Sequence, residues 1–136
     1  MESAGQPFHA VGALLGEYFD GLHHSDTTRL ARVFHPSAHY VCVTSGELQQ
    51  LDMPAYFAIV DQRPSPASRG ESRVDRIVSI EFAGDVTASA RVECAIGARH
   101  FDDLLTLIHV DGRWQIISKV FHYRVHPAQQ GDLSAV

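Results

Sequence analysis

The sequence is poor in the residues that mark several specialised classes of protein. Basic residues are outnumbered, because 11 Lys and Arg against 16 Asp and Glu give a net charge of −5 over 136 residues. No basic stripe is therefore available to neutralise nucleic-acid phosphates or to bind an anionic membrane. No apolar run of about 18 residues could span a bilayer, and the first residues lack the basic start of a signal peptide. These absences predict a cytoplasmic protein that binds neither nucleic acid nor membrane.

Metal and cofactor motifs are also scarce. The only cysteines, Cys42 and Cys94, lie inside apolar strand-like runs, which is typical of buried free thiols in a reducing compartment. His23 and His24 are adjacent rather than spaced for shared coordination, and no CxxC motif occurs. Glycine-rich phosphate loops are absent too. We therefore expect no metal and no organic cofactor.

Three segments in the first half of the chain have helical patterns. Residues 8–22 carry apolar side chains at offsets of 3, 4 and 7, which predicts one wide apolar stripe on a helix. A second, shorter helix is expected after an N-cap at Ser25 or Asp26. The third, residues 53–62, follows Asp52 as N-cap and has a proline in its first turn, where a missing N–H does no harm.

Strand signals follow the second helical segment and dominate the second half of the chain. Residues 38–44 are β-branched and aromatic, and the Asp111-Gly112 dipeptide lies between two apolar runs as a hairpin turn. The longer strands are expected at about 73–82, 86–98, 101–110 and 114–123. The order predicts one α+β domain over residues 1–136, with a core at about 8–125 and a frayed tail at 126–136. In it, three helices from the N-terminal half cover the concave face of a cone-shaped, curved antiparallel sheet that encloses a pocket.

Two stretches resemble the nuclear transport factor 2-like superfamily. They are EYFDGLHHSDTTRLARVFHPSAHYV near the start and DDLLTLIHVDGRWQIISKVFH near the end. The second stretch is most similar to the lumazine-binding-like branch, beside the SnoaL-like polyketide cyclases. The resemblance covers residues 8–125 and implies the cone-shaped sheet, often with a homodimer formed through its convex side. It specifies the fold better than the activity, because this fold carries unrelated chemistries.

The resemblance also allows the ketosteroid isomerase pattern to be compared residue by residue. In those enzymes a tyrosine on the first helix donates a hydrogen bond to the developing oxyanion, and Tyr18 falls at that position. The aspartate base of the first strand aligns with Cys42, and the aspartic acid of the penultimate strand aligns near Thr106. Two of the three groups are replaced, which predicts a reaction other than ketosteroid isomerisation.

Strand alternation predicts which side chains share the cavity. If Cys42 faces inward, so does Tyr40, and Tyr56 on the third helix faces the cavity mouth. The same alignment places Asp102, Thr106, Ser118 and His122 inside. A shift of one residue would bring in Asp103, Lys119 and Phe121 instead, because side chains alternate with a period of two.

Two functions remain open at this point. The first is a lyase, isomerase or cyclase of the proton-transfer type that acts on a small apolar carbonyl compound. In it Tyr18 stabilises the oxyanion, and His122, oriented by Asp102, moves the proton. The second is a non-catalytic protein that binds a small apolar or aromatic molecule, such as a flat heteroaromatic ring. An enzyme is expected to bury a titratable pair, whereas a binder needs only a hydroxyl and apolar walls.

Overall fold

The computed structural model describes residues 5–126, which form three α-helices, a short 3-10 turn and six strands. The helices are α1 (Gly5–His24), α2 (Thr27–Val33) and α3 (Met53–Gln62), and the strands are β1 (Phe34–Cys42), β2 (Gln49–Leu51), β3 (Asp75–Phe82), β4 (Thr87–Ile96), β5 (Arg99–Val110) and β6 (Arg113–Val125). The frayed tail that we predict lies, from residue 127 onward, outside the described residues. None of the helices in residues 5–126 is long and apolar enough to cross a membrane.

Side-chain caps begin the two shorter helices. Asp26, one of the two candidate caps, accepts a hydrogen bond from the backbone N–H of Arg29 at 3.0 Å. Asp52 accepts from the N–H of Ala55 at 3.0 Å in the same way. Each cap satisfies one of the N–H groups that a first helical turn leaves without a partner. The predicted start of α3 is therefore confirmed by its cap geometry.

The six strands form one curved, open sheet in the order β2-β1-β6-β5-β4-β3. The predicted α+β class is confirmed, with one refinement: β1 and β6 run parallel, so the sheet is mixed rather than wholly antiparallel. A parallel pair needs a long crossover connection. Here that connection comprises every element from β2 to β5, which brings the last strand into the middle of the sheet beside β1.

The apolar stripe of α1 packs against one face of this sheet. Val11, Leu15, Tyr18 and Leu22, spaced by four, three and four residues, are all buried. Together with α2 and α3 they cover one sheet face, which we call the helix-covered face. The core of the domain therefore lies between the helices and that face.

A β-bulge in β6 decides which residues of the last strand reach the helix-covered face. Leu107 pairs with Ile116 but Thr106 pairs with Ser118, so Ile117 is an extra residue on β6. A bulge of one residue inverts the alternation beyond it. Ile116 is buried before the bulge, and Lys119 and Phe121 are buried after it. The prediction that Ser118 faces the cavity is therefore wrong.

The facing predicted for β5 is wrong for a related reason. Residues paired across a two-residue hairpin lie on the same face, and Trp114 pairs with His109, not with Val110. Buried Trp114 on the helix-covered face therefore brings the odd-numbered residues of β5 to that face. Asp103, Leu105 and Leu107 are all buried there. Thr106, predicted to line the cavity, belongs to the opposite face.

Candidate functional site

Four of the predicted site residues lie on the helix-covered side. Tyr18 is fully buried, and Tyr56 and Cys42 are almost so. Tyr40 packs partly buried against the same core, with its ring centroid 4.8 Å from that of Tyr56. The structure therefore brings together the tyrosines expected to form the walls. The Cys42 thiol lies 3.4 Å from the hydroxyl of Thr44.

His122 and Asp102 lie on the opposite face of the sheet, which corrects the facing predicted for them. His122 is exposed, and its Nδ1 lies 2.8 Å from the hydroxyl oxygen of Thr44. Asp102 forms ion pairs with Arg124 at 3.4 Å and Arg91 at 3.6 Å. The two residues are neighbours across β5 and β6, but they have no access to the cavity. The structure therefore does not place His122 and Asp102 where they could act as an acid–base pair on a ligand in the cavity.

A second aspartate, Asp103, provides the buried carboxylate instead. The Tyr18 hydroxyl donates a hydrogen bond of 2.5 Å to Asp103 Oδ2, and both side chains are fully buried. Burial, reinforced by the charge of Asp103, raises the pKa of Tyr18 well above its ordinary value, so the phenol keeps its proton and donates it. The other carboxylate oxygen, Oδ1, has no hydrogen-bond partner within residues 5–126.

Lys119 lies close to this pair, and only 5% of it is exposed. Its Nζ lies 3.4 Å from the Tyr56 hydroxyl oxygen. Four aromatic rings surround the ammonium, with centroids 5.1–5.8 Å from Nζ; they belong to Tyr18, Tyr40, Tyr56 and Phe121. Ring faces carry partial negative charge and attract a cation at this range, most strongly where water is excluded. The rings therefore form a cage around a buried amine.

The amine of Lys119 is held in its charged form. Burial lowers its pKa, but Coulombic interactions with the Tyr56 and Asp103 side chains raise it, and the pKa stands above its ordinary value. Charged side chains are almost never buried unless they are paired. Here the direct contacts of the ammonium are the Tyr56 hydroxyl and the four surrounding rings. Asp103 is buried on the same face of β5 and β6 and contributes negative charge without a direct ion pair.

Lys119 forms part of the wall of a cavity of about 170 Å³. The remaining lining residues are Leu22, Tyr40, Gln49, Tyr56, Ile59, Arg63, Cys94, Ile96, Arg99, Phe101, Phe121 and Tyr123. Burial, with a smaller contribution from Asp103, raises the pKa of the Cys94 thiol to about 12. That thiol is therefore a small apolar wall group rather than a nucleophile. Within residues 5–126 no three His, Cys, Asp or Glu side chains converge as a metal site.

The two charged groups at the centre of the site are the ones that strand alternation indicated only for a shifted register. The sequence does carry a signal for one of them, because Lys119 is the only lysine in the chain. It follows Ser118 and precedes Val120 and Phe121 in a mostly apolar strand, whereas lysines are usually spread over the surface. A single lysine in an apolar strand is a candidate for a buried, functional amine.

A curved sheet covered by three helices, with a cavity between the two layers, is the arrangement of the nuclear transport factor 2-like superfamily, a ligand-binding fold. Residues 6–122 match the family described as "Putative lumazine-binding". The chain belongs to this family, and the resemblance seen in its sequence is confirmed.

Solved structures show the same fold. A nuclear transport factor 2-like protein of unknown function from Shewanella baltica is 25% identical, with a TM-score of 0.81 over 91% of this chain and 98% of that one. A similar protein from Silicibacter pomeroyi is 26% identical, with a TM-score of 0.77 over 90% of this chain and all of that one. Among curated proteins, aldolase FrzH from Cladobotryum sp is 26% identical over 115 residues, which are 85% of this chain and 90% of that protein.

Proposed function

We propose that the protein is an enzyme that stabilises negative charge on the oxygen of a small carbonyl compound during proton transfer, in a reaction of the lyase or isomerase type. The observation that carries this proposal is the buried, charged Lys119 on the wall of the cavity. A preorganised cation in a site that excludes water acts on a developing oxyanion more strongly than it would in solution.

The reaction that suits this site begins with loss of a proton from the carbon next to the carbonyl. The electron pair of that C–H bond moves to the carbonyl oxygen, where the Lys119 ammonium donates a hydrogen bond to the enolate. A water molecule in the cavity accepts the proton, because Asp103 is fully buried and does not belong to the lining. Asp103 instead contributes negative charge near the ammonium. Tyr18, which donates to Oδ2, is then a positioning residue that holds this carboxylate in place.

The charge state of Lys119 favours this role over a Schiff base. Attack on a carbonyl requires the neutral amine, whereas Coulombic interactions, with Tyr56 first and Asp103 next, raise the pKa of Lys119 above its ordinary value. The similarity to a protein named an aldolase supports the same class of chemistry, because aldol cleavage and aldol addition both pass through an enolate or its equivalent.

The direct test is exchange of carbonyl-adjacent protons for deuterium, followed by NMR in D₂O with phenylacetone and phenylpyruvate. Wild-type protein should accelerate exchange of one of these compounds, and Lys119→Met should lower the rate about a hundredfold or more. His122→Gln, which changes a residue on the opposite face, should retain the wild-type rate. Equal rates for wild type and Lys119→Met would contradict the proposal.

Borohydride reduction separates the two possible roles of the amine. Because Lys119 is the only lysine, any trapped adduct elsewhere in the chain can come only from the N-terminal amine. We expect no adduct on Lys119 by mass spectrometry of peptides. An adduct there, formed at a rate matching turnover, would replace the ammonium mechanism with a Schiff base.

A non-catalytic binding protein is the second candidate. The feature that favours it is the aromatic lining, since Tyr40, Tyr56, Phe101, Phe121 and Tyr123 all face the cavity and suit a flat ring. Tight binding of a ring compound together with no proton exchange in any carbonyl substrate would favour this function.

A further inference from the structure

The charged residues that line the cavity are all positive. Arg63, Arg99 and Lys119 belong to the lining, which includes no Asp or Glu among the residues that the structure describes. This is unexpected in a chain with 16 acidic and 11 basic residues. A concave surface lined by one sign of charge concentrates ligands of the opposite sign.

Of the three cations, Arg63 is the one with a buried donor that lacks a hydrogen-bond partner within residues 5–126. Arg63 is half-buried where α3 ends, and its Nε is a buried donor without a hydrogen-bond partner within residues 5–126. Its guanidinium forms no ion pair there either, in contrast to several arginines elsewhere, which meet carboxylates; these are Arg29, Arg69, Arg73, Arg76, Arg91 and Arg124. A buried donor without a partner costs stability, and an oxyanion in the cavity would satisfy it.

Arg99 is the most exposed of the three cations. Its guanidinium carbon lies 4.6 Å from the centroid of the Tyr123 ring, and both residues line the cavity. Stacking on the Tyr123 ring holds the planar guanidinium of Arg99 in place. Its N–H donors point outward from the edges of that plane, so they stay available to a ligand. The three cations therefore differ in depth: Lys119 is buried, Arg63 is half-buried and Arg99 is exposed.

The size of the cavity limits the ligand. Its volume of about 170 Å³ is close to the roughly 150 Å³ that accommodates one benzene molecule. The aromatic walls favour a ring or another flat group over a branched one. A ligand with one ring and a short polar substituent at each end fits these limits.

We propose that the substrate is a small oxo acid, whose carboxylate is bound by Arg63 and Arg99 and whose carbonyl oxygen faces Lys119. The position of the carbonyl group at Lys119 rests on the proposed function. The position of the carboxylate rests only on the unpartnered guanidinium of Arg63 and on the positive charge of the cavity lining. Arg63 is then a specificity-determining residue, because it favours acids over neutral compounds of the same shape.

Matched pairs of ligands test the carboxylate end without any turnover. Benzoate and benzamide have nearly the same shape and differ in charge, as do 4-formylbenzoate and 4-formylbenzamide. By isothermal titration calorimetry, wild type should bind each acid about tenfold or more tightly than its amide. Arg63→Gln should abolish most of that preference, and Arg63→Lys should retain part of it. Arg76→Gln changes an arginine on β3 whose side chain is 69% exposed, and it should leave both affinities unchanged.

The outcomes separate the two proposals. Preference for acids that depends on Arg63, without proton exchange in any oxo acid, would support the anion site and contradict the enzymatic function. Exchange of phenylacetone as fast as that of phenylpyruvate, with no preference for acids in binding, would support the enzyme and overturn the anion site. Failure of both acids to bind, or equal loss of acid and amide binding in a folded Arg63→Gln variant, would also overturn it.

Discussion

Replacing Tyr18 by phenylalanine tests the buried centre of the site more directly than any other single change. The substitution removes one oxygen and keeps the ring that packs in the core. It deletes the 2.5 Å hydrogen bond to Asp103 and leaves that carboxylate without a hydrogen-bond donor from the residues that the structure describes. The free energy of unfolding should therefore fall by more than the removal of a surface hydroxyl would cause.

The magnitude follows from the environment of the carboxylate. A hydrogen bond to a charged group contributes about 1.5–3 kcal/mol. Because the carboxylate is fully buried and loses its hydrogen-bond donor, we expect a loss at the upper end of this range, about 3 kcal/mol. For a domain of this size that corresponds to a decrease in Tm of about 10 °C.

Urea unfolding followed by circular dichroism gives the measurement. Tyr123→Phe is the matched control, because the Tyr123 side chain is only partly buried, and its loss should cost less than about 0.5 kcal/mol. Repeating Tyr18→Phe in an Asp103→Leu background completes a double-mutant cycle, and the coupling should exceed about 1 kcal/mol. An equal cost of Tyr18→Phe in both backgrounds would refute the assignment of the energy to the hydrogen bond.

Alkaline pH provides an independent test of the same centre. Burial raises the pKa of Tyr18 in the folded protein, while in the unfolded chain it returns to about 10. The contribution of this tyrosine to stability is therefore complete below about pH 10 and is lost as the pH rises toward the folded value. Cys94 and Lys119 have raised pKa values as well, so the wild type should lose stability steeply above about pH 9. Tyr18→Phe should show a shallower loss, and identical slopes would contradict the raised pKa of Tyr18.

Two further predictions concern packing and assembly. A Cβ at Gly21 would lie 2.6 Å from Leu30 Cδ2, whereas one at Gly16 meets nothing within 4 Å. Gly21→Ala should therefore lower the free energy of unfolding by about 1–3 kcal/mol, measured by thermal unfolding. Gly16→Ala should raise it by about 0.5–1 kcal/mol through helix propensity. A stabilising Gly21→Ala with a destabilising Gly16→Ala would contradict the packing of α1 on α2. Homodimerisation through the face opposite the helices remains a proposal, supported by the neighbouring residues Leu104 and Val120, which are 59% and 44% exposed. Light scattering should show a dimer in wild type and a monomer in Val120→Lys, and a monomeric wild type would contradict the proposal.

Local chemistry in the sequence predicts the elements of this fold well. The apolar stripe of α1 and the Asp52 cap of α3 are short-range features, and so is the Asp111-Gly112 turn between β5 and β6. Each acts within a few residues, so its consequence can be worked out without knowledge of the rest of the chain. The family resemblance adds the arrangement of these elements, because it covers both ends of the domain.

The identity of the site depends on features that local patterns do not carry. Ile117 is an ordinary strand residue, yet its insertion as a bulge inverts the facing of every later residue of β6. As a result Lys119 and Phe121 lie on the helix-covered face, and His122 lies on the opposite face. No glycine or proline marks the bulge, and it is evident only from the pairing of β6 with β5.

The sequence by itself determined the class of the fold and the presence of a single lysine, and it predicted Tyr40 and Tyr56 as wall residues. Tertiary structure alone decided that this lysine and Asp103 are buried on the same face of the sheet, because the strand register decides which alternate residues of a strand face the core. It also decided that Arg63 and Arg99 share one cavity with Lys119. These residues come from a helix end and two different strands, and only the folded chain brings their charges together.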